Sequence, residues 1–164
     1  MGRAGSVGDE IGSALIGARL VRDLMRLGFL MERTYAPYPK WFGTAFQQLA
    51  CAEELSPSLR AALRAETWPE REHHLVAAYE HVATLHNALG LTDLLPTRAR
   101  DFFGRPFRVI ALHGFADALL ARIDDPAVRV IAARQPIGSL EQFSDSTDLV
   151  SHAAWRPALR KLYE

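Results

Sequence analysis

Cysteine is almost absent from this sequence of 164 residues, in which Cys51 stands alone. It can form no internal disulfide, so a reducing, cytoplasmic setting is expected. Cys51 lies within an apolar stretch of helical character, residues 46–52, where no neighbouring residue would lower the pKa of its thiol. The sequence therefore predicts a buried, inert thiol rather than a nucleophile.

Long apolar runs and an excess of one charge are also missing. No run approaches the roughly 20 residues needed to cross a bilayer, and residues 1–8 lack the apolar segment of a signal peptide. The 19 basic side chains equal the 19 acidic ones in number, so no overall field attracts nucleic acid. We expect neither a membrane nor a nucleic-acid partner. With 49% apolar and 23% charged residues, the chain has the balance of a globular protein.

Catalytic and metal-binding motifs are missing as well. No Gly-rich phosphate loop and no Gly-x-Ser-x-Gly elbow occurs. Nucleotide-transferring enzymes need a Gly-Ser pair followed by Asp-x-Asp, whereas Gly12-Ser13 is followed by Asp23 and Met25, without the second carboxylate that magnesium requires. The six histidines include no tightly spaced pair of metal ligands. We expect no catalytic centre and no metal site in this chain.

Prolines and glycines divide the sequence at helix-length intervals, and neither period-two alternation nor an Asn-Gly or Asp-Gly turn is found. This pattern predicts an all-α fold, a single-domain helical bundle over residues 1–164 with about five main helices plus short ones. The predicted helices are 9–33 after a capping box at 6–9, one from Pro39, a shorter one from Ser56-Pro57, one from the box at 67–70 to Gly90, 107–122, one from Asp125-Pro126, one after a box at 139–142, and 155–164.

The first long helix combines apolar seams with a row of arginines. One seam contains Ile16, Leu20, Leu24, Leu27 and Met31, and the other contains Val21, Met25 and Phe29. Arginines at 19, 22, 26 and 33 fall between the seams, within about 60° of one another around the helix axis. Such a row requires negative charge facing it. That charge could be an external phosphate or carboxylate, or internal carboxylates such as Asp23, Glu32, Asp101, Asp117 or Glu141.

An aromatic segment stiffened by prolines follows at residues 35–43. Lys40 falls in the first turn of the second helix, where the positive end of the helix dipole disfavours a cation. One interpretation is an anion pocket in which Tyr35, Tyr38 or Trp41 stacks on a flat ring. The other is a hydrophobic plug, with the aromatic side chains wedged between helices and Lys40 in water. The sequence leaves both open.

The helix from 67 to 90 shows one apolar face formed by Leu75, Tyr79, Val82, His86 and Leu89. Five polar residues of this helix are predicted to face mostly solvent: Glu70, Arg71, Glu72, His73 and Glu80. His86 is most simply a hydrogen-bonded core histidine. Together with Asn87 it could instead point into a ligand cleft.

Several segments resemble a mainly bacterial family catalogued as domain of unknown function 4037. They are residues 2–10, 19–27, 35–46, 86–91, 104–107 and 142–148, so the resemblance extends over nearly the whole chain. It implies a C-terminal helical accessory domain that follows a nucleotidyltransferase-like domain, whose Gly-Ser…Asp-x-Asp segment these residues do not contain. Mg²⁺ and a nucleotide are then expected only beside such a partner domain.

The resulting hypothesis is a non-catalytic accessory module that helps bind a nucleotide or a small-molecule acceptor. The alternative is a structural or protein-interaction module whose arginines are salt-bridged internally, and a homo-oligomer is compatible with either. The proposed ligand-binding residues are Arg19, Arg22, Asp23, Arg26, Tyr35, Tyr38, Lys40, Trp41, His86 and Asn87.

Overall fold

The computed structural model describes residues 1–110, 114–134, 149 and 151–163. His113, the predicted helix start at 139–142 and the motif at 142–148 lie outside the described residues. The chain forms two compact units, Met1–Leu119 and Leu120–Glu164. The single domain expected from the sequence stays a prediction.

Helices account for most of the described residues, which confirms the predicted fold class. The helices are α1 Gly2–Gly5, α2 Glu10–Met31, α3 Pro39–Phe46, α4 Ala52–Arg64, α5 Trp68–Ala88, α6 Phe115–Ala121, α7 Pro126–Ala132 and α8 Arg156–Arg160. Between α5 and α6 lie two strands, β1 Arg100–Phe102 and β2 Arg105–Val109. Within the described part of the chain, no helix has both the length and the apolar character required to cross a membrane.

The start of α2 differs in detail from the predicted capping box. Asp9 is the N-cap residue, and its Oδ1 accepts a hydrogen bond of 2.7 Å from the Gly12 N–H. Ser6 instead follows α1 and donates to the Arg3 carbonyl. A short side chain at the N-cap satisfies an otherwise unpaired N–H of the first turn, and Asp9 does so alone.

Two further helix starts depend on carboxylates at the two ends of α2, Glu10 in its first turn and Glu32 at its C-cap. Helix α4 begins at Ala52 rather than at the predicted Ser56-Pro57, because Glu32 accepts hydrogen bonds from the N–H groups of Ala50 and Cys51 at 2.9 and 2.8 Å. Helix α5 begins where predicted, but the Thr67 side chain makes no capping bond. The Trp68 N–H donates instead to Glu10 at 2.9 Å. Negative charge at a helix N-terminus is favourable because of the helix dipole.

Among the described residues of the predicted helix 107–122, only Phe115–Ala121 is helical, and the expectation of no strands was wrong. β1 and β2 pair antiparallel as a hairpin, with Phe103 and Gly104 at φ 49° and 72° in the connecting turn. Two consecutive positive φ angles are typical of a two-residue type I′ turn, which usually carries Asn-Gly or Asp-Gly. Because Phe103 occupies the first turn position in place of Asn or Asp, the sequence lacks the usual indication of a hairpin. Pro106 is tolerated because a two-stranded sheet consists only of edge strands.

The core of the first unit lies between α2, α4 and α5. The largest fully buried apolar side chains are Phe29, Phe46, Leu55 and Leu75. Phe29 packs against Phe42 and Phe46, with ring centroids 5.3 and 6.2 Å apart. Each such side chain stabilises the fold by about 1.5–3 kcal/mol relative to exposure. Leu75 confirms the predicted apolar face of α5, whereas Leu89 is exposed beyond the last turn.

Helix α2 buries one face, not two. That face consists largely of small residues: Ser13, Gly17, Val21, Leu24 and Gly28 are buried. A Cβ on Gly28 would lie 3.0 Å from the Cys51 Sγ, so α2 and the start of α4 approach closely. Ile16 and Leu27, which the sequence placed in an apolar seam, lie at the surface.

The second unit contains α7 and α8. Asp125 caps α7 as predicted, and its Oδ1 accepts from the Ala127 N–H at 2.7 Å. The predicted closing helix is only partly α-helical, since 3₁₀ turns at Ala153–Trp155 and Lys161–Tyr163 flank α8. No described side chain of α7 or α8 is fully buried.

Candidate functional site

The predicted arginine row is shorter in the structure than in the sequence. Arg33 lies beyond the end of α2, with φ 52°, and occupies the left-handed position of a Schellman motif. The Thr34 N–H donates to the Phe29 carbonyl and the Arg33 N–H to the Leu30 carbonyl. Arg33 therefore does not belong to the row. We define the arginine stripe as the remaining three residues, Arg19, Arg22 and Arg26.

The arginine stripe lies opposite the buried face of α2. At 100° per residue, its members are turned by about 130–180° from the line through Gly17, Val21 and Leu24. Arg19 is exposed, whereas Arg22 and Arg26 are half-buried. Each of the three has an interaction partner. The stripe is therefore a partly shielded, engaged surface rather than three side chains in bulk water.

Two of the carboxylates expected to face the arginine stripe, Asp23 and Glu32, lie at different places in the structure. Asp23 is half-buried on α2. Glu32 is engaged at the start of α4, where desolvation raises its pKa but the hydrogen bonds from Cys51 and Ala50 outweigh that effect and lower it overall. Burial, followed by the adjacent Glu32, raises the pKa of the Cys51 thiol to about 12. Cys51 is thus protonated and buried, as predicted.

The aromatic segment divides into a buried and an exposed part. Phe42 packs against the core and Phe46 is buried in it, so these two phenylalanines form the plug between helices. The three aromatic residues proposed as ligand contacts are not wedged between helices. Tyr35 is 87% exposed, Tyr38 49% and Trp41 52%. The plug and the exposed surface therefore coexist on different residues.

Lys40 and Trp41 form a pair at the start of α3. The Lys40 Nζ lies 5.3 Å from the centroid of the Trp41 ring, within the range of cation–π attraction. The first turn of α3 contains no acidic residue, and Tyr38 at the N-cap makes no side-chain capping bond. Positive charge, the helix dipole and an open aromatic face thus occur together within four residues.

His86 and Asn87 make the hydrogen bonds of a structural pair. The His86 Nε2 lies 2.9 Å from the Thr92 Oγ1, and its ring packs edge-on against Phe115 at 4.9 Å. The Asn87 side chain donates to the Leu95 carbonyl and accepts from the Leu95 N–H. These contacts hold Thr92 and Leu95 against the end of α5. They confirm the prediction that His86 is a hydrogen-bonded core histidine. A ligand role for the two residues stays a prediction.

Arg71 is a buried arginine that the sequence interpretation wrongly left in solvent. It is 3% exposed, and its guanidinium donates to the Glu10 carboxylate at 3.2 Å, the Ser13 hydroxyl at 2.8 Å and the Ala65 carbonyl at 2.7 Å. Its position in the sequence indicates burial, because Arg71 lies four residues before Leu75 and therefore on the same face of α5.

No metal site is formed by the residues that the structure describes, where no group of three or more His, Cys, Asp or Glu side chains converges. His73 and His74 pack edge to face, with ring centroids 5.2 Å apart, and belong to no such group.

These observations define a mostly helical protein with an engaged arginine stripe and an exposed aromatic–cation pair. Residues 1–42 match the model of a family described as a domain of unknown function, DUF4037. The match supports the family resemblance and includes the stripe and the Lys40–Trp41 pair, whereas the segments at 86–91, 104–107 and 142–148 lie beyond it. No curated protein and no solved structure matches the chain.

Proposed function

We propose that this chain is a non-catalytic helical module that helps bind a nucleotide, or the small-molecule acceptor of a nucleotidyl group, beside a nucleotidyltransferase-like domain. In this proposal the arginine stripe and Lys40 bind phosphate or carboxylate groups. Trp41 and Tyr38 stack on a flat ring, and Tyr35 and Asp23 border the site. Mg²⁺ would accompany the nucleotide only with the partner catalytic domain.

The observation that carries the proposal is the exposed Lys40–Trp41 pair. A half-exposed indole leaves apolar surface in water, and a lysine in a first helix turn is unfavourable for the helix. Their mutual cation–π contact contributes only about 0.5–1 kcal/mol at an exposed site. Together they supply the two contacts that a nucleotide needs, a stacking face and a cation. Local rules are commonly broken at functional sites.

Calorimetry and thermal-shift measurements with nucleoside triphosphates and Mg²⁺ test the proposal. Trp41→Ala should weaken binding by about 1–3 kcal/mol, the usual contribution of one stacked base, and Lys40→Gln should weaken it and reduce its dependence on salt. Trp155→Ala and Lys161→Gln are matched controls, since both residues are exposed in the second unit. Absence of binding by every nucleotide, with an intact fold, refutes direct recognition by this chain.

The second candidate is a structural or protein-interaction module. It is favoured by the half-buried state of Arg22 and Arg26, and by Arg71, which shows that this fold does use arginine for internal pairing. Replacing Arg22 and Arg26 together by Ala separates the candidates. A loss of stability without any ligand effect supports the structural role, because removing one side of a buried pair costs about 3–5 kcal/mol. A retained fold with lost nucleotide binding supports the first proposal.

A further inference from the structure

A pocket of about 590 Å³ lies where the turn after α3 meets α4, and this volume is within the range of small-molecule sites. A short polar chain lines it. The Arg60 Nη2 donates to the Gln47 Oε1 at 3.0 Å, and the Gln47 Nε2 donates to the Ser56 Oγ at 3.0 Å. Across the described chain this is the one hydrogen bond of the Arg60 guanidinium, so its Nε and Nη1 donors stay available for a ligand.

The same pocket is lined by a carboxylate. Glu53 precedes Arg60 by seven residues, which places both on one face of α4, about 10.5 Å apart along the helix axis. Both side chains are exposed, and within the residues that the structure describes neither forms an ion pair. The pocket therefore contains one cation and one anion, each without a compensating charge, on either side of an apolar wall that includes Leu49.

Pro57 lies inside α4 and lines the pocket too. At a helix start, as predicted from the sequence, proline would cost nothing. Because α4 begins at Ala52, Pro57 instead lies in the second turn, where it removes a helix hydrogen bond. The carbonyl that loses its usual partner is that of Glu53, so a backbone oxygen beside the Glu53 carboxylate becomes available at the pocket. Such departures from local rules are typical of functional sites.

From these contacts we infer that the pocket binds a small zwitterion with the chemistry of a free amino acid. The ligand carboxylate binds the open edge of the Arg60 guanidinium, and the ligand ammonium donates to the carboxylate and the carbonyl of Glu53. A simple anion would be repelled by Glu53 and a simple cation by Arg60, so only a molecule with both charges compensates both. Hydrogen bonds of about 2.8 Å at each end leave about 5 Å between the charged groups of the ligand.

Titration calorimetry on the full chain tests the inference with glycine, β-alanine and 4-aminobutyrate, whose charges are increasingly far apart. We expect 4-aminobutyrate to bind most tightly, and butyrate and butylamine, which each lack one charge, to bind at least about tenfold more weakly. Equal binding of butyrate and 4-aminobutyrate overturns the inference, because the pocket is then an anion site. Absence of binding by all three amino acids overturns it as well. No nucleotide is present, and the pocket lies at the opposite end of α3 from the Lys40–Trp41 pair, so either failure leaves nucleotide binding untouched.

Variants of the pocket provide the second readout. Arg60→Gln and Glu53→Gln should each weaken binding of 4-aminobutyrate by about tenfold or more. Arg64→Gln and Glu66→Gln are matched controls, since both residues are exposed and lie outside the pocket lining. Pro57→Ala should raise the midpoint of thermal unfolding and yet weaken binding, because the Glu53 carbonyl regains its helix partner. A purely structural proline would not separate the two effects. Undiminished affinity in Arg60→Gln, Glu53→Gln or Pro57→Ala overturns the inference.

Discussion

Replacing Arg71 by Met removes the buried guanidinium while keeping an unbranched side chain of similar length. Three hydrogen bonds are lost, to Glu10, Ser13 and the Ala65 carbonyl. Ser13 is fully buried, so its hydroxyl loses a partner that water cannot replace. Glu10 is 38% exposed at its side chain and keeps part of its hydration. We therefore expect a destabilisation of about 3 kcal/mol, the low end of the range for breaking a buried pair.

Urea unfolding followed by far-ultraviolet circular dichroism measures this loss. With a slope of about 2 kcal/mol per molar urea, the midpoint should fall by about 1.5 M. Arg64→Met is the matched control, because Arg64 is exposed at the end of α4 and should change stability by less than about 0.5 kcal/mol. A double-mutant cycle of Arg71→Met with Glu10→Gln should show coupling between the two sites. Equal midpoints for Arg71→Met and Arg64→Met would refute the assigned network.

Four further predictions concern ionisation and packing. Glu32→Gln should lower stability at pH 7, and by progressively less as the pH falls below the ordinary glutamate value of about 4.3 in urea titrations, because a lowered pKa gives stability that is present above the unfolded value and lost as pH falls through the folded one. Glu72→Gln should instead increase stability at pH 7, since burial raises the pKa of that carboxyl and its ionised form opposes folding; a loss at neutral pH contradicts this. Gly17→Ala should destabilise because its Cβ would lie 2.5 Å from a neighbouring arginine side chain, whereas Gly43→Ala, with open space around it, should stabilise by about 0.8–1 kcal/mol in the same unfolding assay. Iodoacetamide should alkylate Cys51 at least about a hundredfold more slowly at pH 8 in the native chain than in urea, as judged by mass spectrometry, since a pKa of about 12 leaves little thiolate.

Much of the helical architecture could be predicted from local rules. Pro39 and Asp125 mark helix starts correctly, and Gly90 follows α5 with a φ of 63°. Local rules failed where the capping group comes from a distant residue. The start of α4 depends on Glu32, which follows α2 as its C-cap residue, and no pattern around Ser56 reveals that contact.

The candidate site shows the same division. The exposed pair of Lys40 and Trp41 was predictable because it breaks a helix rule within a short segment. The burial of Arg71 was not predicted, because a charged side chain was assumed to face solvent. Its spacing of four residues from Leu75 nevertheless indicates the buried face of α5. Only the complementary gap at Gly17, 54 residues earlier in the chain, makes room for its side chain. Such pairing across the fold cannot be deduced from either helix alone.

The two roles of Glu10 have a consequence for how this sequence can evolve. One carboxylate both starts α5 and neutralises Arg71, so α2 and α5 must be inherited as a matched set. Residues 1–42, transplanted alone into another protein, would bring Phe29 and Val21 without their covering helices. Recombination between Glu10 and Arg71 should therefore be selected against.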